Sequence, residues 1–239
     1  MLHSAQPTGD ILGDYARAVK RASLPSPSSV ALQPGKGIAK WMRLSRDFFA
    51  QDTLTVARLM LGKRLVRRLD GRRLSGRIVE AEAYIGRDDL GSHASVGRTA
   101  RNDMMFGPPG QAYVYFTYGM HWMFNVVTEA EGFPAAVLVR ALEPWEGLAM
   151  MERNRKGRTG FDLCSGPAKL AQALQITRAL NGADLCARRG AELWFEDAPA
   201  IPDDHVATGP RIGLNSVPEP WLSKPWRFCI AASPFVSRR

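Results

Sequence analysis

The chain has 239 residues, 45% hydrophobic and 23% charged, and this composition excludes a fully disordered or fibrous protein. Its 32 Lys and Arg residues outnumber 23 Asp and Glu residues, so a net charge of +9 favours a polyanionic partner, with nucleic acid ahead of an anionic membrane or an acidic small substrate. Three widely spaced cysteines indicate neither a disulfide framework nor a zinc site, and no apolar run approaches the roughly 18 residues of a membrane-spanning helix.

The first 40 residues are predicted to form a flexible N-terminal arm. Their proline and glycine residues interrupt any regular period, although a short helix over residues 11–21 is compatible with the sequence. From Trp41 onward the composition is globular and shows no internal repeat. We therefore expect one domain over residues 41–239.

Two hairpins are predicted in the first half of this domain. The first joins residues 65–69 to residues 73–84 through Asp70-Gly71, a pair that supplies the positive φ values of a type I′ turn. The second joins residues 111–117 to residues 121–128, which are rich in strand-forming side chains, around an exposed tip.

Further strands are predicted over residues 136–142, 192–196 and 226–232, and helices over residues 146–154 and 165–174. Ser165 is the expected N-cap of the second helix, with Pro167 in its first turn. Strands joined by hairpins, with a few helices beside them, favour an α+β fold over a doubly wound parallel sheet.

The strand that ends at Tyr84 carries a group of polar side chains. Glu80, Glu82 and Tyr84 share one face, because side chains two residues apart in a strand point the same way. A solvated surface is the simple interpretation. The apolar residues between and beside them favour a carboxylate in a partly dry site, where it can act as a general base that activates water. His93 follows in a loop and is compatible with an ordinary loop histidine, and the four histidines lack the spacing of a zinc site.

Two apolar strands contain a polar residue that needs a partner. Arg140 must either reach the sheet surface or be paired, because an unpaired buried charge is costly, and Glu82 is its expected partner. Asn125 can donate or accept a hydrogen bond at the edge of a ligand. The aromatic residues nearby that are expected in the core are Phe116, Trp122 and Phe124.

Several residues suit contact with nucleic acid. Tyr118 lies where the second hairpin reverses, so its ring is expected to project outward and to stack on, or wedge between, bases. Arg98, Arg101 and Asn102 occupy a loop and suit phosphate contact. Residues 41–80 hold ten Lys and Arg residues against four Asp and Glu residues, although solvated charge is the default meaning of such a stretch.

The domain carries a series of short motifs in a fixed order. They are Ile78-Val-Glu-Ala-Glu-Ala-Tyr84, His93, Arg101-Asn102, Met105-Phe106, Tyr113-Val-Tyr115, Tyr118-Gly-Met120, Asn125, Leu138-Val-Arg140-Ala-Leu-Glu-Pro144 and Leu163-Cys-Ser-Gly-Pro167. Together they resemble the alkyladenine (3-methyladenine) DNA glycosylases of the mammalian and plant type. The resemblance extends over about residues 48–237 and leaves residues 1–40 outside.

This resemblance implies a single mixed α+β domain with a curved antiparallel sheet and flanking helices. It implies that Glu82 is the general base for the water that attacks C1′ of the deoxyribose, and that Arg140 and the backbone carbonyl of Ile212 position this water. It further implies that Tyr84, His93 and Tyr115 sandwich the extruded base, that Leu138 forms a pocket wall, and that Asn125 obstructs the amino group of normal guanine. Tyr118 is implied to fill the gap left in the duplex, and the DNA backbone is implied to be contacted by Arg101, Asn102 and Met105.

The implied protein is a monofunctional base-excision repair DNA glycosylase. It flips alkylated or deaminated purines out of double-stranded DNA and hydrolyses the N-glycosidic bond, leaving an abasic site. No cofactor, metal or membrane is expected, and the protein is expected to act as a monomer. No catalytic lysine lies in the matched pocket motifs, which favours direct attack by water over a Schiff base. The expected compartment is the cytoplasm, at the nucleoid, in a prokaryote and the nucleus in a eukaryote.

A non-catalytic protein that binds damaged DNA through the same basic surface is the alternative. Glu82 and Arg140 favour the enzyme, because a binding protein has no need of an acid that faces phosphate-rich DNA. A hydrolase or transferase acting on an anionic small molecule is a third possibility. No phosphate-cradling glycine motif and no nucleophile elbow supports it.

Overall fold

The computed structural model describes residues 41–237, so the predicted N-terminal arm and its helix over residues 11–21 lie outside the described residues. Within residues 41–237 the chain forms eight strands and four α-helices. The strands are β1 (Arg64–Leu69), β2 (Arg72–Ile85), β3 (Ala112–Thr117), β4 (His121–Val127), β5 (Ala135–Glu146), β6 (Leu193–Glu196), β7 (Val206–Gly209) and β8 (Arg227–Ile230). The helices are α1 (Arg46–Phe49), α2 (Thr53–Met60), α3 (Leu148–Asn154) and α4 (Pro167–Ala173).

All eight strands belong to one antiparallel sheet. Its main order is β3-β4-β5-β2-β1-β6, and β8 pairs with both β2 and β7. The 14-residue strand β2 is the centre of the sheet: β5 pairs along one edge, while β1 and then β8 pair along the other. This architecture confirms the predicted single α+β domain.

The core lies where the helices pack on the sheet. Helix α2 places Val56, Ala57 and Met60 against it, and Asp52 caps this helix by accepting a hydrogen bond of 3.0 Å from the Thr55 amide. A second, smaller apolar cluster lies beside the main core and supports the loop that carries His93. It contains Ala94, Met105, Phe106, Tyr113, Val127 and Ala136.

Both predicted hairpins are confirmed. Asp70 and Gly71 have φ values of 49° and 72°, as a type I′ turn requires, and Tyr118 and Gly119 at the second tip have φ values of 52° and 66°. Phe116 was expected in the core but is 44% exposed, because burial along β3 falls toward the tip of the hairpin. Trp122 and Phe124 do pack in or against the core.

The predicted N-cap Ser165 is wrong by one residue. Helix α4 begins at Pro167, so Gly166 is the N-cap and no side chain caps the helix. Proline at the first helical position forces this choice, since the residue before it is held in an extended conformation. Among residues 41–237 no helix is long and apolar enough to cross a membrane.

Candidate active site

A cavity of about 540 Å³ opens at the end of β2, within the size range of small-molecule sites, roughly 300–1,000 Å³. Strands β2 to β5, the loop that carries His93, the start of α4 and the segment after β7 all contribute to its wall. Nine of the twelve predicted site residues line it: Tyr84, His93, Met105, Tyr115, Tyr118, Asn125, Leu138, Arg140 and Ile212.

Glu82 lies directly behind this wall and has no exposed surface. Its Oε1 accepts a hydrogen bond of 2.7 Å from the Ile212 amide. Its Oε2 accepts one of 2.9 Å from the Tyr84 hydroxyl and one of 3.2 Å from Nη1 of Arg140. All three donor residues line the cavity. A carboxylate has about four acceptor positions, so the one left open lies on Oε1, beside Ile212.

Burial raises the pKa of Glu82 above its usual value. The charge of Arg140, the Ile212 amide and the Tyr84 hydroxyl oppose this effect because they favour the ionised form. A carboxyl group with a raised pKa is a stronger base once it is ionised, and general bases in active sites are tuned in this way.

Arg140 is buried and shared between two carboxylates. Its Nη1 meets Glu82, as predicted, and its Nε donates a hydrogen bond of 3.0 Å to Glu80. Its Nη2 lies 3.2 Å from the hydroxyl oxygen of Ser237. Burial alone would lower the pKa of Arg140, but Glu82 and Glu80 raise it above the usual value, so the guanidinium stays charged.

Tyr84 is fixed at both its ring and its hydroxyl. The guanidinium of Arg211 lies 4.7 Å from the ring centroid and pairs with Asp89 through hydrogen bonds of 2.5 and 2.7 Å. Both charged side chains of this pair are fully buried. Since Arg211 precedes Ile212, one buried ion pair supports both the Tyr84 ring and the amide that binds Glu82.

His93 and Tyr115 form a second aromatic wall. Their ring centroids are 4.5 Å apart at an interplanar angle of 80°, and Nδ1 of His93 is 2.8 Å from the Tyr113 hydroxyl. Burial, reinforced by the charge of Arg101, lowers the pKa of His93 to about 4. Burial also raises the pKa of Tyr115 to about 12. Both rings are therefore neutral near pH 7.

Asn125 and Leu138 lie opposite each other on β4 and β5. Both are almost fully buried yet line the cavity. The side-chain amide of Asn125 donates a hydrogen bond of 3.0 Å to the Tyr113 carbonyl, which fixes its orientation. These two residues form a rigid part of the wall.

Tyr118 and Met120 are exposed at the tip of the second hairpin, at 78% and 67%. Tyr118 projects outward as predicted, and it also lines the rim of the cavity. An exposed aromatic ring at the mouth of an aromatic cavity is suited to insertion between stacked bases.

The three residues expected at the DNA backbone lie in different environments. Asn102 is 1% exposed: it accepts from the Thr99 amide at 2.7 Å and donates to the carbonyls of His93 and Gly97, also at 2.7 Å. Met105 is buried in the smaller apolar cluster. The side chains of Asn102 and Met105 thus hold the loop and the wall, and contact of these two residues with the DNA backbone stays a prediction. Arg101 is exposed beside Tyr115 and remains suited to phosphate contact.

Several residues of the cavity wall, and Arg211 behind it, were missed by the sequence analysis. Lys169 lines the cavity, where its ammonium group donates hydrogen bonds of 2.5 Å to Asp162 and 3.4 Å to Ser165. Its position two residues after Pro167, at the start of α4, is a signal that could have found it. Tyr113 could have been found by strand alternation with Tyr115. Ser237 and Arg211 gave no local signal, because long-range packing brings them to the site.

The basic stretch of residues 41–80 is largely neutralised within the fold. Six of its ten basic residues form ion pairs with acidic residues farther along the chain: Arg46, Arg58, Lys63, Arg67, Arg73 and Arg77. This agrees with the default interpretation of the stretch. The arginine best placed to meet a phosphate near the cavity is Arg101, which is exposed beside Tyr115, whereas Arg98 in the same loop pairs with Asp103.

Comparison with known proteins identifies related sequences. Residues 47–234 match the family model described as methylpurine-DNA glycosylase. The chain is 53% identical over 197 residues to a protein of Methanocella arvoryzae. The matched region covers 82% of this chain and 96% of the relative. It is 48% identical over 196 residues to a protein of Chlorobaculum parvum (82% and 90%) and 50% identical over 198 residues to one of Anaeromyxobacter dehalogenans (82% and 87%). All three relatives carry the name "Putative 3-methyladenine DNA glycosylase".

Proposed function

Since the chain belongs to the methylpurine-DNA glycosylase family and is a base-excision repair DNA glycosylase, we propose that it flips alkylated or deaminated purines out of duplex DNA into the aromatic cavity. Water activated by Glu82 then hydrolyses the N-glycosidic bond of the extruded nucleotide. One observation carries the proposal: a buried carboxylate is hydrogen-bonded by three residues that themselves line an aromatic cavity. We propose that one copy of the chain acts alone, in whichever compartment holds the DNA, since Glu82, its three hydrogen-bond donors and both aromatic walls belong to the same chain.

In the proposed reaction, water occupies the open acceptor position on Oε1 of Glu82. Its oxygen attacks C1′ of the extruded nucleotide while its proton passes to the carboxylate, and the purine leaves with the electron pair of the C1′–N bond. Arg140 fixes the carboxylate through Nη1, and Ile212 borders the water position. Glu82 has no exposed surface, so the phosphates stay in the solvent-facing part of the site, and water reaches Oε1 when the wall beside Ile212 opens locally.

The neutral rings suit a cationic base. Alkylated purines such as 3-methyladenine carry a positive charge, and an aromatic face attracts a cation by roughly 0.5–2 kcal/mol. His93, with a pKa of about 4, does not add a repelling charge at neutral pH. Extrusion of a nucleotide costs a few kcal/mol and is easier at a damaged pair, so part of the selectivity precedes the cavity. The rigid Asn125 is proposed to oppose the amino group of normal guanine.

The proposal is tested by chromatographic detection of free bases. Duplexes that contain 3-methyladenine, 7-methylguanine, hypoxanthine or ethenoadenine are incubated with the full chain, beside an undamaged duplex as control. We expect release of the methylated purines and none from the undamaged duplex. Binding to these duplexes with no release of any base would instead identify the protein as a damaged-DNA binding protein.

Lys169 gives the same experiment a second readout. Attack by water leaves an intact strand with an abasic site, so we expect strand breaks only after alkali and no covalent adduct on treatment with borohydride. A borohydride-trapped adduct that disappears in Lys169→Gln would show that an amine attacks the sugar, and would overturn the proposed role of water.

Removal of the ring at the hairpin tip should slow extrusion. We expect Tyr118→Ala to reduce single-turnover base release from a paired lesion by about 10–100-fold, because extrusion costs a few kcal/mol and each 1.36 kcal/mol is tenfold in rate. The same variant should act nearly normally on a lesion in single-stranded DNA, where no gap needs filling. Tyr118→Phe, which keeps the ring, is the matched control. Equal rates for Tyr118→Ala and the unmodified chain on paired DNA would show that another residue fills the gap.

A further inference from the structure

A second buried carboxylate lies next to the site, and the mechanism above does not use it. Glu80 has no exposed surface. Its Oε1 accepts hydrogen bonds of 3.0 Å from Nε of Arg140 and 3.2 Å from Nη1 of Arg227, and its Oε2 accepts one of 2.7 Å from the Ser237 amide. The donors come from β5, β8 and the segment that follows β8, so three separate parts of the chain converge on this group.

The local shape of the sheet explains the convergence. The register between β2 and β5 is irregular on both sides of Glu80, and Arg140 lies in the part of β5 that faces this irregularity. On its other edge β2 pairs with β8 at Glu80–Glu82, which brings Arg227 to the same place. Irregularities of this kind re-aim side chains near active sites. Here both carboxylates meet the same guanidinium.

We propose, on the basis of the function proposed above, that Glu80 is a positioning residue: it holds Arg140 by Nε so that Nη1 meets Glu82, and its negative charge offsets the field of Arg140 at the general base. The segment after β8 completes the arrangement, because Ser237 contacts Glu80 through its amide and Arg140 through its hydroxyl.

The balance of charge at this point supports the proposal. Glu80 and Glu82 face Arg140 from β5 and Arg227 from β8, so the cluster holds two negative and two positive charges. The other titratable groups against it are Tyr84, whose hydroxyl donates to Glu82, and the Cys229 thiol on β8. Removal of the Glu80 charge leaves one excess positive charge beside Glu82, which favours its ionised form and makes it a weaker base. Glu80 indeed acts to raise the pKa of Glu82.

The test compares two variants with opposite expected signs. Single-turnover base release from a methylated duplex is measured between about pH 4.5 and 8.5 with the full chain, after subtraction of release without enzyme. We expect Glu80→Gln to shift the acidic limb of the rate–pH profile to a pH about one unit lower and to reduce the plateau rate about tenfold. Arg227→Gln removes a positive charge and should shift the acidic limb to a higher pH. Glu143→Gln on β5, whose carboxylate pairs with Arg77, is the matched control and should leave the profile unchanged.

The outcomes separate this inference from the function on which it rests. If the unmodified chain releases no base, or if Glu82→Gln remains active, the proposed function fails. The inference is overturned if activity depends on Glu82 but the acidic limb of Glu80→Gln and Arg227→Gln lies at the same pH as that of the unmodified chain. It is also overturned if both variants shift the limb in the same direction, because Glu80 then has only a structural role. Should Glu80→Gln fail to fold by circular dichroism, the upward shift expected of Arg227→Gln decides alone.

Discussion

Replacement of Glu82 by glutamine is expected to reduce single-turnover base release by at least about 10²–10⁴-fold, the usual contribution of a general base. The amide keeps the size of the side chain and one oxygen acceptor but cannot take a proton from water. Affinity for damaged duplex, measured by fluorescence anisotropy, should change little, because Glu82 is buried and does not line the cavity. The variant would thus hold the lesion without cutting the glycosidic bond.

The pH dependence identifies the same group. Burial raises the pKa of Glu82 above its usual value, and the base must be ionised to take a proton from water. The rate is therefore at its maximum above that raised pKa and is lost as the pH falls through it. His93 titrates lower, near pH 4, and cannot account for a limb above the usual glutamate range. The control Glu143→Gln, on β5, should show the unmodified rate. A Glu82→Gln variant that retains the rate within about threefold would exclude Glu82 as the base.

Loss of Asp89 should have the largest effect on stability. Asp89→Ala leaves the guanidinium of Arg211 buried without its carboxylate, and breaking such a pair costs about 3–5 kcal/mol of unfolding free energy. For a chain of this size the melting temperature should fall by about 10 °C, which calorimetry measures. Base release by the folded fraction should also slow, because Arg211 supports the Tyr84 ring and precedes the Ile212 amide.

The control for Asp89→Ala is an arginine–aspartate ion pair that is exposed to solvent. Arg98 and Asp103 are joined at 2.6 Å but are far more exposed, so Asp103→Ala should cost about 1 kcal/mol or less. The double variant Asp89→Ala with Arg211→Met should recover part of the loss, since it removes the orphaned charge. Equal costs for Asp89→Ala and Asp103→Ala would mean that the buried pair does not support this side of the site.

Local rules accounted for the elements and for the centre of the site. Asp70-Gly71 marked the first hairpin because its backbone needs positive φ values. Strand alternation and the cost of burying a charge together linked Glu82 to Arg140, and the structure joins them at 3.2 Å. The resemblance added Tyr84, His93 and Tyr115, all of which line one cavity.

Loop conformation and long-range packing decided what local rules could not. Asn102 is buried because its side chain donates to the carbonyls of His93 and Gly97 within its own loop, and Phe116 is exposed because burial falls along β3 toward the hairpin tip. The contact of Ser237 with Glu80 joins residues 157 positions apart in the sequence. Neither spacing nor composition contains this last contact, because it depends on the register of β2 with β8.

If Glu82 is the base, as proposed, its complete burial should give salt two separate effects on this enzyme. Dissolved ions screen charges at the surface within about 10 Å at 0.1 M but act much less on charges enclosed by protein. Ionic strength should therefore weaken the encounter between Arg101 and the phosphates, while the bond-breaking step on DNA that is already bound proceeds at an unaltered rate. Substitutions on the rim should then change how long the protein stays on DNA without changing the rate of the hydrolysis proposed at Glu82.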